Sequence, residues 1–257
     1  MARAAVLGRL TWRVGTLVAF RDETAAARTL VFQIPDWPGH LAGQHLDVRL
    51  TAPDGYSTQR SYSIASAVDG DLVELTIERL PDGEVSLYLS QVLSIGDQIE
   101  LRGPIGGWFV WDPATDAPVL LIGGGSGVVP LMAMLRTRQR LASGTPFRLL
   151  YSVRDPAAVL YEAELETLQS ADPTLEVHYA FTRQTPAGHP RRAGRIDGAF
   201  LAEFGFAATL TPTVFVCGPT GFVETVAGLL VAAGHDPHRV KTERFGPSGG
   251  SSDGHSS

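Results

Sequence analysis

Between Thr11 and Trp111 apolar and polar residues alternate in short runs, among them Gly15–Phe20, Thr29–Ile34, Leu46–Leu50 and Leu72–Ile77. A period of two over five or six residues, interrupted by Gly, Pro and Asp, predicts half-buried strands joined by turns, and so an antiparallel barrel or sandwich. The stretch from Glu84 to Leu93 breaks the alternation. Its apolar residues Val85, Leu89, Val92 and Leu93 recur at helical spacing, which predicts one helix inside an otherwise all-β segment.

After Asp112-Pro113 the texture changes to an apolar strand, a glycine turn and a helical period: Pro118–Ile122, then Gly123-Gly124-Gly125, then Val128–Leu141. The theme continues through Phe147–Val153, Tyr161–Leu168, Leu175–Phe181, Val214–Cys217 and Phe222–Ala233. Strands alternating with helices predict a parallel α/β sheet. The expected fold is therefore two-domain: an antiparallel β-barrel with one helix over residues 11–111, then an α/β parallel-sheet domain over 112–247, with a disordered tail at 248–257 that lacks apolar residues.

Composition narrows the function. The chain of 257 residues is 44% hydrophobic, enough for two cores, and its 21 Lys and Arg against 27 Asp and Glu leave a formal charge of −6. That balance offers no clustered basic surface for nucleic acid. Cys217 is the one cysteine, so neither an internal disulfide nor an iron-sulfur cluster held by several thiolates can form within the chain. No run approaches the roughly 18 apolar residues of a membrane span, and the first residues carry arginines throughout and lack the continuous apolar run of a signal peptide, so a cytoplasmic protein without a membrane partner is expected.

Five segments carry candidate chemistry. Arg60-Ser61-Tyr62-Ser63 sets a guanidinium, able to grip a phosphate with two parallel hydrogen bonds, beside an aromatic ring able to lie on a planar group; a salt-bridged Arg and a buried Tyr explain it equally. Gly83-Glu84-Val85-Ser86 opens the lone helix, where unpaired N–H groups can receive a pyrophosphate or Asp82 can simply cap. Gly103-Pro104-Ile105-Gly106-Gly107-Trp108-Phe109 is also readable as a tight barrel turn. Gly123-Gly124-Gly125-Ser126-Gly127-Val128-Val129-Pro130 follows a strand and opens a helix, the context of a dinucleotide phosphate loop, although Val128 stands where the common fingerprint has its third glycine. Cys217-Gly218-Pro219-Thr220-Gly221-Phe222 ends a later strand at the carboxyl edge, where open α/β sheets bind ligands. A lone buried Cys is otherwise a small hydrophobe.

Taken in order, these motifs resemble the ferredoxin-NADP reductase family over about Thr11 to Pro247, nearest in look to the reductases of bacterial oxygenase systems and the reductase part of flavohemoglobins. The resemblance implies FAD, a nicotinamide dinucleotide substrate, and transfer of a hydride to the flavin followed by single electrons to a separate protein such as a ferredoxin or an oxygenase component. It implies that Arg60 binds the flavin pyrophosphate, that Ser61, Tyr62 and Ser63 line the flavin, with Tyr62 on the ring and Ser63 near N5, and that Gly83, Val85 and Ser86 hold phosphate oxygens. Gly125, Ser126 and Gly127 would cradle the dinucleotide pyrophosphate, Cys217 and Gly218 would approach the nicotinamide, and Glu243 and Phe245 would reach the flavin face from a last strand. Ser63, Cys217 and Glu243 are the expected catalytic residues. Arg154, after the second α/β strand, and Arg183 suit a 2′-phosphate, so NADPH is expected over NADH, with Asp155 as the opposing signal. A flavin reductase that releases its reduced flavin, a non-catalytic flavin-binding module, and FMN in place of FAD are the competing readings.

Overall fold

The computed structural model describes residues 10–246; the tail expected to be disordered lies outside them. Two compact units divide the chain: residues up to Pro113 together with Met132–Ser143, and Ala114–Leu131 together with residues from Gly144 onward.

In the first unit, strands β1 (Trp12–Thr24), β2 (Ala27–Gln33), β3 (His45–Thr51), β4 (Ser57–Ser63), β5 (Leu72–Glu78) and β6 (Gln98–Ile105) form an antiparallel sheet in the order β4-β3-β6-β1-β2-β5. Its two outer strands meet just past the end of β4, where Ile64 bridges Leu75 and the Ala65 N–H donates to the Glu74 carbonyl at 2.8 Å, so the sheet closes on itself as a barrel. Leu17, Leu30, Phe32, Leu46, Leu75 and Leu101 fill it, all fully buried; each contributes roughly 1.5–3 kcal/mol of transfer free energy.

The lone helix plugs this barrel with Val85, Leu89 and Leu93. It is α-helical only over Glu84–Leu87 (α1) and widens to a π turn at Tyr88–Val92, where the Leu93 N–H reaches the Tyr88 carbonyl five residues back. The buried Ser90 hydroxyl donates to the Ser86 carbonyl at 2.6 Å and takes the acceptor that the regular helix would use, a local cause for the widening.

The second unit holds β7 (Val119–Gly124), β8 (Phe147–Val153), β9 (Leu175–Phe181), β10 (Thr213–Pro219) and β11 (Val240–Phe245), all parallel, in the order β11-β10-β7-β8-β9. Helices α2 (Val128–Arg140), α3 (Glu162–Ala171), α4 (Gly198–Phe204) and α5 (Thr220–Ala232) connect the strands. Burial on both faces explains why β7 reads as the unbroken apolar run Val-Leu-Leu-Ile. The strand order reverses between β7 and β10, and the carboxyl ends at that switch point are where such sheets take ligands.

Two details depart from the sequence pattern. Gly123 and Gly124 continue β7, paired with Tyr151 and Ser152, and the turn starts only at Gly125. Helix α4 was not anticipated; Asp197 caps it by accepting from the Phe200 N–H at 2.7 Å.

Candidate functional site

At the switch point of the second unit, β7 runs into the Gly125–Gly127 turn and then into α2, the Val128 N–H closing the turn onto the Gly125 and Ser126 carbonyls. A Cβ on Gly127 would lie 2.1 Å from the Cys217 carbonyl oxygen and 2.8 Å from the Gly218 nitrogen, so only glycine lets the loop sit against the end of β10. Gly125 is left-handed, φ 56°, with open space where a side chain would be. Gly124 and Gly218 are both packed on the Phe222 ring, which a Cβ at either position would meet at 2.8 and 2.7 Å. Three glycines thus bring two strand ends and a helix start together around an uncovered Gly125, a cradle that suits phosphate oxygens approaching backbone N–H groups.

Cys217 is buried in β10, beside Glu243 of β11, its register partner. Burial pushes the Cys217 thiol well above its usual value, and the Glu243 carboxylate adds to the effect, so the side chain is a neutral thiol. Phe245 lies two residues on, opposite Pro219, and is partly exposed. Arg154 and Arg183 are exposed at the carboxyl ends of β8 and β9, and the Arg183 N–H donates to the Arg154 carbonyl at 2.8 Å. The backbones of the two arginines therefore meet at adjacent strand ends.

In the first unit, alternation along β4 places Arg60 and Tyr62 toward one face and Ser61 and Ser63 toward the other. Tyr62 opposes Leu46 and packs on the barrel core; burial pushes its phenol up to about 12, with Arg60 acting against the shift. Arg60 is exposed, and its guanidinium donates to the Gln59 carbonyl at 2.7 Å. Ser61 is committed elsewhere: its hydroxyl donates to Asp47 at 2.6 Å, and Asp47 also takes Arg102 at 2.6 Å. Burial acts to raise the Asp47 carboxyl, but Ser61 and Arg102 outweigh it and hold the group below its usual value.

At the helix start Gly83 packs closely, since a Cβ there would meet the Ser86 hydroxyl at 2.3 Å and the Leu80 Cβ at 3.0 Å. That hydroxyl donates to the Gly83 carbonyl at 3.0 Å and accepts from the Leu80 N–H at 3.3 Å, so Ser86 stabilises the turn, and the first-turn N–H groups are what remains for an anion. Phe222 and the Asp47–Arg102 pair were absent from the sequence-derived site. Phe222 stood in the Cys217–Phe222 motif, whereas Asp47 needs the strand register to be seen.

The residues fit both cofactors: an exposed Arg60 and an aromatic Tyr62 on one strand face suit a flavin nucleotide, and the glycine cradle suits a dinucleotide. Among the described residues no cluster of His, Cys, Asp and Glu is arranged to hold a metal ion, and no helix is long and apolar enough to cross a membrane.

Residues 15–110 match the oxidoreductase FAD-binding domain and residues 121–228 the oxidoreductase NAD-binding domain. FAD and a nicotinamide dinucleotide are accordingly its cofactors. The glycine betaine monooxygenase reductase subunit of Chromohalobacter salexigens is 31% identical over 92% of this chain, and component C of the methane monooxygenase of Methylosinus trichosporium is 32% identical over 70%. This chain spans only 61% and 50% of the length of those two relatives. In structure it is similar to the FAD/NAD-binding domain of a nitric oxide dioxygenase from Vibrio cholerae, with TM-score 0.82 and 24% identity over 91% of this chain and 99% of that one, a likeness of fold. A cytochrome P450 reductase from Amycolatopsis gives TM-score 0.81 and 25% identity over 95% of this chain and 74% of that one. The ferredoxin–NADP reductase B of Sorangium cellulosum is 32% identical over 89% of this chain and 96% of its own length, and on that match the chain belongs to the ferredoxin–NADP reductase family.

Proposed function

We propose that the protein is an NAD(P)H-dependent flavoprotein reductase that passes electrons from the dinucleotide through FAD to a separate redox protein, a ferredoxin or an oxygenase component, in the cytoplasm. The observation that carries this reading is the Gly125–Gly127 cradle locked against Cys217 at the sheet's switch point, in a chain whose other unit is an FAD-binding barrel. FAD, when bound, supplies the change from paired to single electrons. The chain's own residues bind and orient. Arg60 and the helix start at Gly83, Val85 and Ser86 would hold the flavin phosphates, while Tyr62 would lie on the ring and Ser63 would offer it a hydroxyl near N5. Gly125, Ser126 and Gly127 hold the dinucleotide pyrophosphate. Cys217 and Gly218 place the nicotinamide, the neutral thiol adding no charge beside it, and Glu243 and Phe245 complete the surroundings from β11. Orientation of this kind lowers a barrier by several kcal/mol without a side-chain nucleophile. Arg154 and Arg183 together favour NADPH through its 2′-phosphate. The barrel segment 11–111 and the α/β segment 112–247 are the functional domains.

Purified protein should carry FAD, identified by mass spectrometry of the released cofactor, at close to one per chain. Anaerobic mixing with NADPH should bleach it in a single rapid phase, and a one-electron acceptor protein should restore the colour. FMN as the released cofactor overturns the FAD assignment, reduced flavin leaving the protein points to a flavin reductase, and failure to take up flavin points to a non-catalytic module.

A further inference from the structure

Arg60 and Tyr62 belong to a longer row. The Ala52 N–H donates to the Tyr56 carbonyl at 2.8 Å, which carries the pairing of β3 with β4 one step past Thr51 and Ser57. Alternation along this extended segment puts Tyr62, Arg60, Thr58 and Tyr56 on one side. At roughly 3.3 Å per residue, Tyr62 stands about 7 Å from Arg60 along the strand and Tyr56 about 13 Å from it in the opposite direction. An arginine thus lies between two aromatic rings. The Tyr56 hydroxyl donates to the Glu84 carboxylate at 3.4 Å, a long hydrogen bond that brings the second ring to the start of α1.

The turn before β4 fixes the backbone of Tyr56. The Gly55 N–H donates to the Ala52 carbonyl at 2.9 Å, with Gly55 left-handed at φ 90°, and the Asp54 carboxylate accepts from the Tyr56 N–H at 3.0 Å. The ring is nevertheless 56% exposed and is not among the side chains that pack on the barrel core. Leu80, three residues before Gly83, is equally exposed, and its carbonyl accepts from the Gly83 N–H at 3.0 Å. The approach to the helix start therefore leaves apolar surface uncovered on two elements.

We propose that Tyr56 takes the adenine of FAD and is the residue by which this chain selects FAD over FMN. The proposal rests on the reading that Arg60 and the helix start hold flavin phosphate and that Tyr62 lies on the flavin ring. The two cofactors share the ring, the ribityl chain and the first phosphate, so Tyr62 and Arg60 cannot tell them apart. FMN ends at that phosphate. FAD goes on with a second phosphate, a ribose and an adenine, so the discriminating contact belongs past Arg60, on the side away from Tyr62. Tyr56 is the one aromatic residue between Leu46 and Arg60. A base stacked on it would cover apolar surface that the fold leaves open, and stacking on a planar base needs no matching pattern of donors and acceptors. Glu84, the acceptor of the Tyr56 hydroxyl, has further lone pairs to offer a ribose hydroxyl.

The test compares the two flavins on the full chain, freed of cofactor and titrated with each in turn while flavin fluorescence is followed. The unsubstituted chain should bind FAD more tightly than FMN. Tyr56→Ala should weaken FAD by about 5- to 150-fold, the loss of one stacked base, and leave FMN affinity unchanged. Tyr56→Phe and Tyr56→Trp, which keep a planar ring, should retain the preference for FAD. Melting of the cofactor-free Tyr56→Ala chain should match that of the unsubstituted one. FAD affinity untouched by Tyr56→Ala, FAD and FMN weakened by the same factor, or an unsubstituted chain that holds FMN as tightly as FAD overturns the assignment while leaving the flavoprotein reading standing. A chain that takes up neither flavin overturns both.

Discussion

Replacing Gly127 by alanine is the sharpest test of the cradle. The added Cβ would lie 2.1 Å from the Cys217 carbonyl oxygen, 2.5 Å from its carbonyl carbon and 2.8 Å from the Gly218 nitrogen. These are backbone atoms of β10, in register with β7 on one side and β11 on the other, so no rotamer change relieves them. Carbon–oxygen contacts settle at about 3.3 Å or more, so the loop must withdraw by on the order of 1 Å. Overpacking of this kind costs about 1–3 kcal/mol. If the loop takes the strain, dinucleotide affinity should fall by about 5- to 150-fold, at 1.4 kcal/mol per tenfold. Titration of the oxidised protein with NADP followed by flavin absorbance reads the affinity, and thermal unfolding reads the share borne by the sheet. Gly228→Ala is the control. That glycine lies inside α5 with nothing within 4 Å of its Cβ, so alanine there should stabilise the chain by about 0.5–1 kcal/mol. A Gly127→Ala variant that binds dinucleotide and melts as the unsubstituted chain does would refute the close-approach argument.

Arg60→Ala should weaken flavin retention by about 10- to 150-fold, the effect of losing about 1.5–3 kcal/mol of charge-assisted hydrogen bonding, while melting of the FAD-free protein stays put; equilibrium dialysis and calorimetry separate the two. Arg154→Ala and Arg183→Ala should each raise KM for NADPH more than for NADH, and equal effects in steady-state assays would remove the 2′-phosphate assignment. Glu74 accepts from Arg21 at 2.7 Å and from Arg136 at 2.9 Å; burial acts to raise its carboxyl, but the two arginines outweigh it and hold the group below its usual value. Its folded value lies below its unfolded one, so its contribution is complete above the ordinary carboxylate range and is lost as pH falls through the folded value. Urea unfolding should therefore show Glu74→Gln to be less stable than the unsubstituted chain at neutral pH, with the gap closing in acid; a gap independent of pH would contradict this.

Much of the fold was legible because burial enforces periodicity. β8 and β9 run Phe147–Val153 and Leu175–Phe181, the same limits their apolar runs set. β4 was harder. Its sequence Ser-Thr-Gln-Arg-Ser-Tyr-Ser has almost no apolar alternation, because only Thr58, Tyr62 and Ser63 are even partly buried and Tyr62 alone gives the core an apolar group. Helix α4 is a seven-residue element whose signal was a single cap, Asp197. In the candidate site the glycine loop could be placed between a strand and a helix from sequence alone, but its dependence on Cys217 could not, since residues 127 and 217 meet only once β7 and β10 are neighbours.

The strand order of the second sheet also bears on how the nascent chain folds. All six barrel strands precede Gly106, so that unit's sheet can pair while synthesis continues. The parallel sheet has no such option: β7 is made first and lies in the middle, and its neighbour β10 is not complete until Pro219. For almost a hundred residues of translation one edge of Val119-Leu120-Leu121-Ile122 has no partner. A short, uncharged, β-prone edge of that kind is a template for aggregation. Yield in a heterologous host should therefore respond to growth temperature and chaperone supply more than the stability of the finished protein would suggest.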